Sequence, residues 1–341
     1  MKRRYLLAAL IFLTTVKGGA QPDKERMAAF EMRWPQATAD QIIARVQAAI
    51  ETITGQPLKR KPKFIALAAK ALPARMALNV PDAPEFDVTF LRDYNELRIV
   101  NRELSVSVPP RAEMTEEEAL KLARSFLGEL AQRKLVDQRQ FDWRRVDVAS
   151  TWIGGGPAGG PESDKRRVEY RVTLRRVING IEVANAGVRI AVHTTGVISG
   201  LRLGGVSVLS RVDKDGVEEP AGRGQWLHRQ VSVEEAASRF RREVHPDGST
   251  PTISWSRVMY VMPEGRPMAV VQPLYVVSYS LQFPSEGGST VVSRRKTVGY
   301  SLMNPEERSI DLTPPMRPPE VEKGEKREEK GATNQSKRPS R

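Results

Sequence analysis

The sequence predicts an α+β protein: tandem modules of one helix packed on an antiparallel β-sheet, with an N-terminal helical segment before them and a disordered tail after. Three observations carry this expectation. The segments 114–130 and 231–240 each open on a capping box, Thr115 with Glu118 and Ser232 with Glu235, and then repeat apolar residues at helical spacing. Each is followed by short β-branched runs that end in Gly, Asn or Pro turns. Most links between those runs are short, as antiparallel connections are, whereas parallel crossovers need about a dozen residues or more.

The chain has 341 residues, enough for two folded units with additional segments. Lys2, Arg3 and Arg4 precede an apolar run from Tyr5 to Val16, too short to span a bilayer comfortably, and Gly18, Gly19 and Ala20 supply small residues for cleavage. Residues 1–20 therefore read as a signal peptide. The mature protein is expected to be exported, to the periplasm or beyond the cell, with no transmembrane helix left after cleavage. The chain contains no Cys, which removes disulfides, thiolate nucleophiles and Cys-ligated metals, and also the acylated cysteine of a bacterial lipoprotein. Formal net charge is +13, and loss of Lys2, Arg3, Arg4 and Lys17 leaves about +9. Acidic residues are interspersed with the basic ones, so most of this charge reads as a mixed, solvated surface.

Taken in order, residues 21–80 read as an N-terminal helical segment. Ile42, Ile43, Val46, Ile50 and Ile53 share a helical face over 39–53, with Thr38 or Asp40 as N-cap and Gly55 as the stop. A second helix is expected over 64–76, interrupted at Pro73. Residues 81–215 form the first module. Runs at 86–91 and 96–100 make a hairpin around Asp93-Tyr94-Asn95, and 104–108 is a short extended run. The helix at 114–130 follows, then an extended run at 143–153 and a flexible glycine loop at 154–160.

Over 168–177, Val168, Tyr170, Val172 and Leu174 alternate with Arg167, Glu169, Arg171 and Arg175, the pattern of a half-buried strand. Asn179-Gly180 is a strong hairpin signal because both turn positions favour positive φ. Further strands are expected near 181–184, 187–193 and 197–203. Residues 216–312 form the second module, with its helix at 231–240 and strands at 253–261, 273–283, 290–301 and 308–312. Residues 313–341, rich in Pro, Lys, Arg and Glu, cannot bury enough apolar surface to offset ordering entropy and read as a disordered tail.

Catalytic signatures are weak. His193, His228 and His245 have no metal-ligand spacing, the glycine loop lacks the Gly-Lys-Ser/Thr of a phosphate loop, and Gly-x-Ser-x-Gly does not occur. Glu116, Glu117 and Glu118 sit where a helix macrodipole favours carboxylates. No catalytic residue, metal ligand or cofactor site emerges, and the chain reads as a non-enzyme; an enzyme with a site assembled only in three dimensions is the alternative. The most distinctive polar feature is the stripe Arg167, Arg171 and Arg175. Such a stripe suits an acidic partner peptide, by strand addition, or an anionic envelope polymer, and equally serves as a solvated face that discourages aggregation. Nothing resembles a nucleic-acid interface: aromatic and basic residues are not interleaved, and no groove-binding motif is present.

The segment VEYRVTLRRVINGIEVANAGVRIAVHTTGVISGLRL, 168–203, resembles the fungalysin/thermolysin propeptide motif. TEEEALKLARSFL and SVEEAASRF are similar to the helix of the related PepSY domains, and QPLYVVSYSL at 272–281 to the strand that follows it. The resemblance implies a non-catalytic module that binds a protein or peptide partner, a secreted peptidase among them, as inhibitor or chaperone. The family supplies no catalytic residues to carry over. With only residues 313–341 read after the second module, no attached peptidase is expected, and inhibition is expected to act in trans.

Overall fold

The computed structural model describes residues 27–33, 37–65, 75–106, 114–153, 166–205, 207–222, 225–226, 231–244, 251–261, 270–284 and 291–313. Residues 1–20, read above as a signal peptide, residues 154–160, read as a flexible glycine segment, His228, His245 and residues 314–341, read as a disordered tail, lie outside the described residues.

The chain begins with β1 (Ala28–Arg33), α1 (Ala39–Thr54), β2 (Lys63–Phe64), β3 (Arg75–Asn79), β4 (Phe86–Leu91), β5 (Glu96–Asn101) and a short α2 (Arg102–Val106). Next come α3 (Glu116–Gln132), β6 (Asp147–Ile153), β7 (Arg166–Ile178), β8 (Ile181–His193) and β9 (Ile198–Gly204). Short strands β10 (Ser207–Val208), β11 (Ser210–Val212), β12 (Glu218–Pro220) and β13 (Gln225–Trp226) lead to α4 (Val233–Val244). The last elements are β14 (Thr252–Tyr260), β15 (Val270–Val271), β16 (Pro273–Pro284), β17 (Val291–Ser301) and β18 (Ile310–Asp311).

This is a mixed α+β fold dominated by strands. One large sheet runs β18-β17-β16-β14-β8-β9-β5-β4-β3-β2, with β7 and then β6 continuing from β8. Its pairings are antiparallel except for β14, which meets β8 in parallel at Met259–Glu182 and Tyr260–Val183.

Three times a helix precedes antiparallel strands: α1 before β2 to β5, α3 before β6 to β9, and α4 before β14 and β16 to β18. The helices start alike. Thr38 and Gln41 form a reciprocal capping box at α1, as Thr115 and Glu118 do at α3, and at α4 the Glu235 N–H donates to Ser232 Oγ at 2.9 Å. The order of a capped helix followed by strands thus also occurs at the N-terminus, in α1 and β2 to β5. At α3 the Thr115 N–H donates to Glu118 Oε2 at 2.8 Å and the Glu118 N–H to Thr115 Oγ1 at 3.2 Å. Thr115→Ala should lower stability by about 1 kcal/mol, read as the denaturant midpoint. Hydrogen bonds from the Thr115 N–H and hydroxyl hold the Glu118 carboxyl below its ordinary range. This contribution should be present above ordinary glutamate pH values and fade as pH falls through the lowered one.

Two main cores form. In the first, α1 (Ile42, Val46, Ile50) and α3 (Ala123, Phe126, Leu127) lie on one face of β3, β4, β5, β7, β8 and β9. In the second, Phe240 of α4 meets Tyr279 of β16 and Tyr300 of β17 edge-to-face, with ring centroids 5.2 and 6.4 Å away. Packing does not follow chain order. Phe30 of β1 joins the second core, its ring 5.6 Å from Tyr260, and Ile178, Ile181 and Val183 at the tip of the β7–β8 hairpin join it too. That tip turns as expected, with φ of 48° at Asn179 and 79° at Gly180. The Asn179 side chain also clamps β12, donating to the Glu218 carbonyl at 2.7 Å and accepting from its N–H at 2.8 Å.

Some expectations require correction. The helix expected over 64–76 is strand at both described ends: Phe64 lies in β2, and in β3 buried Met76 and Leu78 alternate with exposed Arg75, Ala77 and Asn79, a period of two. The segment 21–80 accordingly contains strands as well as α1. The extended run expected at 104–108 begins as α2, because Asn101 Oδ1 accepts the Leu104 N–H at 3.0 Å and caps a helical turn. The break expected at Gly187 is a bulge within one strand. On β7, Arg175 pairs with Gly187 but Arg176 with Val183, so Ala184, Asn185 and Ala186 have no partner there.

Candidate functional site

The face of the sheet opposite α1 and α3 carries charge. Apolar residues of β5, β8 and β9 alternate into the first core, and the residues between them point the other way. Register then places Arg98 opposite Arg202 and Arg202 opposite Arg189, so three arginines stand in one row across β5, β9 and β8. The row continues to Thr173 on β7 and Asp147 on β6. Neighbouring strands are about 4.8 Å apart, and like charges directly opposite one another oppose sheet formation.

Compensation along the row is uneven. Glu96, with its side chain 2% exposed, sits between two of the arginines: it accepts from Arg98 and, at 2.6 Å, from Arg202. Arg189 donates to the Thr173 hydroxyl at 3.3 Å, and among the described residues no carboxylate pairs with it. Desolvation against the sheet, followed by the like charges of Arg202 and Arg171, pushes its pKa down.

The predicted stripe on β7 has a different fate. Arg171 is paired with Glu169 at 2.8 Å, and Arg175 with Asp147 and, at 3.6 Å, with Glu182. The Arg167 guanidinium lies 4.5 Å from the Trp152 ring centroid and 4.8 Å from that of Tyr170, and donates to the Tyr170 hydroxyl. Arg167, Arg171 and Arg175 are thus brought into contacts of their own. Within the row of Arg98, Arg202 and Arg189, the cation without a carboxylate partner among the described residues is Arg189, on the next strand. Arg189 and Arg202 carried a signal in sequence, since a lone Arg between apolar neighbours in VRI and LRL must face away from the core.

Small residues flank the row and leave a groove on each side. The smaller, about 280 Å³, is lined by Val100, Gly200, Ala191, Ser199 and Arg171 together with Arg189 and Arg202. The larger, about 420 Å³, lies where β14, β16 and β17 meet the kinked β8; Gly187 and Gly204 contribute no side chains there. Ligand sites commonly measure about 300–1,000 Å³, which favours the larger groove. Arg189 and Arg202 line both.

Other polar groups on this side serve the structure. Ser199 Oγ donates to Glu169 Oε2 at 2.7 Å, so the hydroxyl is engaged with a carboxylate. Buried His193 sits in the β8–β9 turn, where its Nδ1 lies 2.7 Å from the Thr195 hydroxyl and accepts the Thr195 N–H at 3.3 Å. Among the described residues no helix is long and apolar enough to cross a membrane.

These features define a strand-rich α+β protein with a cationic open sheet face. No protein-family model and no curated protein matches the sequence. Among solved structures the chain is similar to the crystal structure of an uncharacterized protein from Eubacterium rectale ATCC 33656, with a TM-score of 0.54 and 12% identity over 84% of this chain and 86% of that one. At that identity the similarity concerns the fold alone.

Proposed function

We propose that this chain is an exported, non-catalytic binding protein built of PepSY-like units, and that it takes acidic partners on the open face of its sheet. The observation that carries the reading is Arg189, a cation without a carboxylate partner among the described residues, set in a row with Arg202 and Arg98. Lining up three guanidinium groups opposes pairing of the strands beneath them, and an incoming carboxylate relieves that repulsion. The thrice-repeated order of capped helix and antiparallel strands supports the PepSY-like part of the reading.

Calorimetric titration with poly-L-glutamate at several salt concentrations tests it. Affinity is expected to fall steeply as ionic strength rises. Arg189→Gln should weaken binding about tenfold, the equivalent of one charge-assisted hydrogen bond, and should leave the fold intact because the side chain stands out from the sheet. Salt-independent binding, or an Arg189→Gln protein that binds as the parent does, would count against the proposal. Inhibition of a purified secreted metallopeptidase without any binding of polyglutamate would move the reading to a propeptide-like role.

A further inference from the structure

We infer that the larger groove is a site for an amphipathic carboxylate, with one anionic head on Arg189 and Arg202 and an apolar body against Trp255, Met259 and Val276. The inference rests on the anion-binding reading of this face and names the ligand class.

The two walls of the groove differ in character. On the β8–β9 side stand Arg189, Arg202 and the Thr173 hydroxyl. On the β14–β16 side Met259, Val261 and Val276, all at most 5% exposed, form a small apolar cluster with Leu274 and, around it, Ala184, Ile310 and Leu312. Trp255, 36% exposed, closes one end. The floor between the walls passes over Gly187 and Gly204, where a ligand meets backbone at close range.

Charge pairing limits the ligand to one anionic group. Arg257 lies 4.9 Å from the Trp255 ring centroid and donates to Glu182 at 3.1 Å. Arg175 is held by Asp147 and Glu182, and Arg202 already shares Glu96. The unmatched charge in the groove is therefore that of Arg189. An acidic polymer can place one carboxylate on Arg189, but within this groove its further carboxylates meet only arginines already paired. A sugar acid would turn hydroxyls toward the side chains of Met259, Val261 and Val276, which offer them no hydrogen bond. An alkyl or aryl carboxylate avoids both costs.

The test is calorimetric titration of the full chain with acetate, hexanoate, octanoate, decanoate, 1-decanol and poly-L-glutamate. Affinity should rise from hexanoate to decanoate by about two- to fourfold per added methylene, as buried methylenes require. Arg189→Gln should weaken decanoate binding about tenfold, and Trp255→Ala should reduce it and flatten the dependence on chain length. Equal affinity for acetate and decanoate would overturn the inference while leaving the anion-binding reading intact. So would 1-decanol binding as tightly as decanoate, since the charge would then contribute nothing. Binding of neither the carboxylates nor polyglutamate would overturn both.

Discussion

Gly187→Ala should cost about 4 kcal/mol, with the protein expressed poorly or melting more than ~8 °C below the parent. At this residue φ is 148°, and an added Cβ would lie 2.1 Å from the Leu174 carbonyl oxygen and 2.9 Å from Arg175 Cα. Both obstacles are backbone on the neighbouring strand, so no side chain can swing aside. The cost combines backbone strain of about 1–3 kcal/mol with overpacking of similar size. For a domain whose whole stability is about 5–15 kcal/mol, that is a large share. Gly216→Ala provides the comparison: φ is 78°, but nothing lies within 4 Å of the added carbon, and the loss should stay near 1 kcal/mol. Thermal melts of the two variants side by side decide the matter. If Gly187→Ala melts no lower than Gly216→Ala, the close approach at the bulge is not what fixes the bend in β8. Because Gly187 also lines the larger groove, a bend fixed at this point positions Arg189 opposite the β14–β16 wall.

Local pattern was enough to find most of the elements. The helices at α1, α3 and α4 and the hairpins at β4–β5 and β7–β8 followed from capping residues, period and turn chemistry, all of which act within a few residues. What escaped depends on distant partners. β1 pairs with β13 at Ala28–Trp226, with β15 at Phe30–Val271 and with β10 at Met32–Val208, so three remote segments make a strand of AAFEMR. The arginine row escaped for the same reason. Arg98 and Arg202 face one another only because β5 and β9 pair in one register, and nothing near either residue announces the other. The stripe on β7 was visible in sequence, but Asp147, which pairs with Arg175, arrives from β6, and Glu182 from across the hairpin. Proximity along the chain overstated the charge of β7 and understated that of the row beside it.

Ile178→Ala should destabilise both halves of the molecule together, by about 3 kcal/mol, within a single unfolding transition. Ile178 is fully buried at the tip of the β7–β8 hairpin, inside the second core with Phe240 and Tyr260. The same hairpin supplies Tyr170, Val172, Leu174, Val188 and Ile190 to the first core. A cavity at the tip therefore loosens an element that both cores need, and the clamp from Asn179 to Glu218 ties β12 to it as well. Two single-tryptophan proteins separate the halves. Trp143, stacked with Arg124 at 4.7 Å and packed on the first core, reports one; Trp255 on β14 reports the other. In urea the two probes should share a midpoint, and Ile178→Ala should shift both equally without splitting the curve. A Trp143 midpoint that stays in place while the Trp255 midpoint falls would mean that the cores unfold independently. The groove between them would then join two units free to move apart, and a ligand spanning Arg189 and Met259 would bind by closing them rather than by entering a formed site.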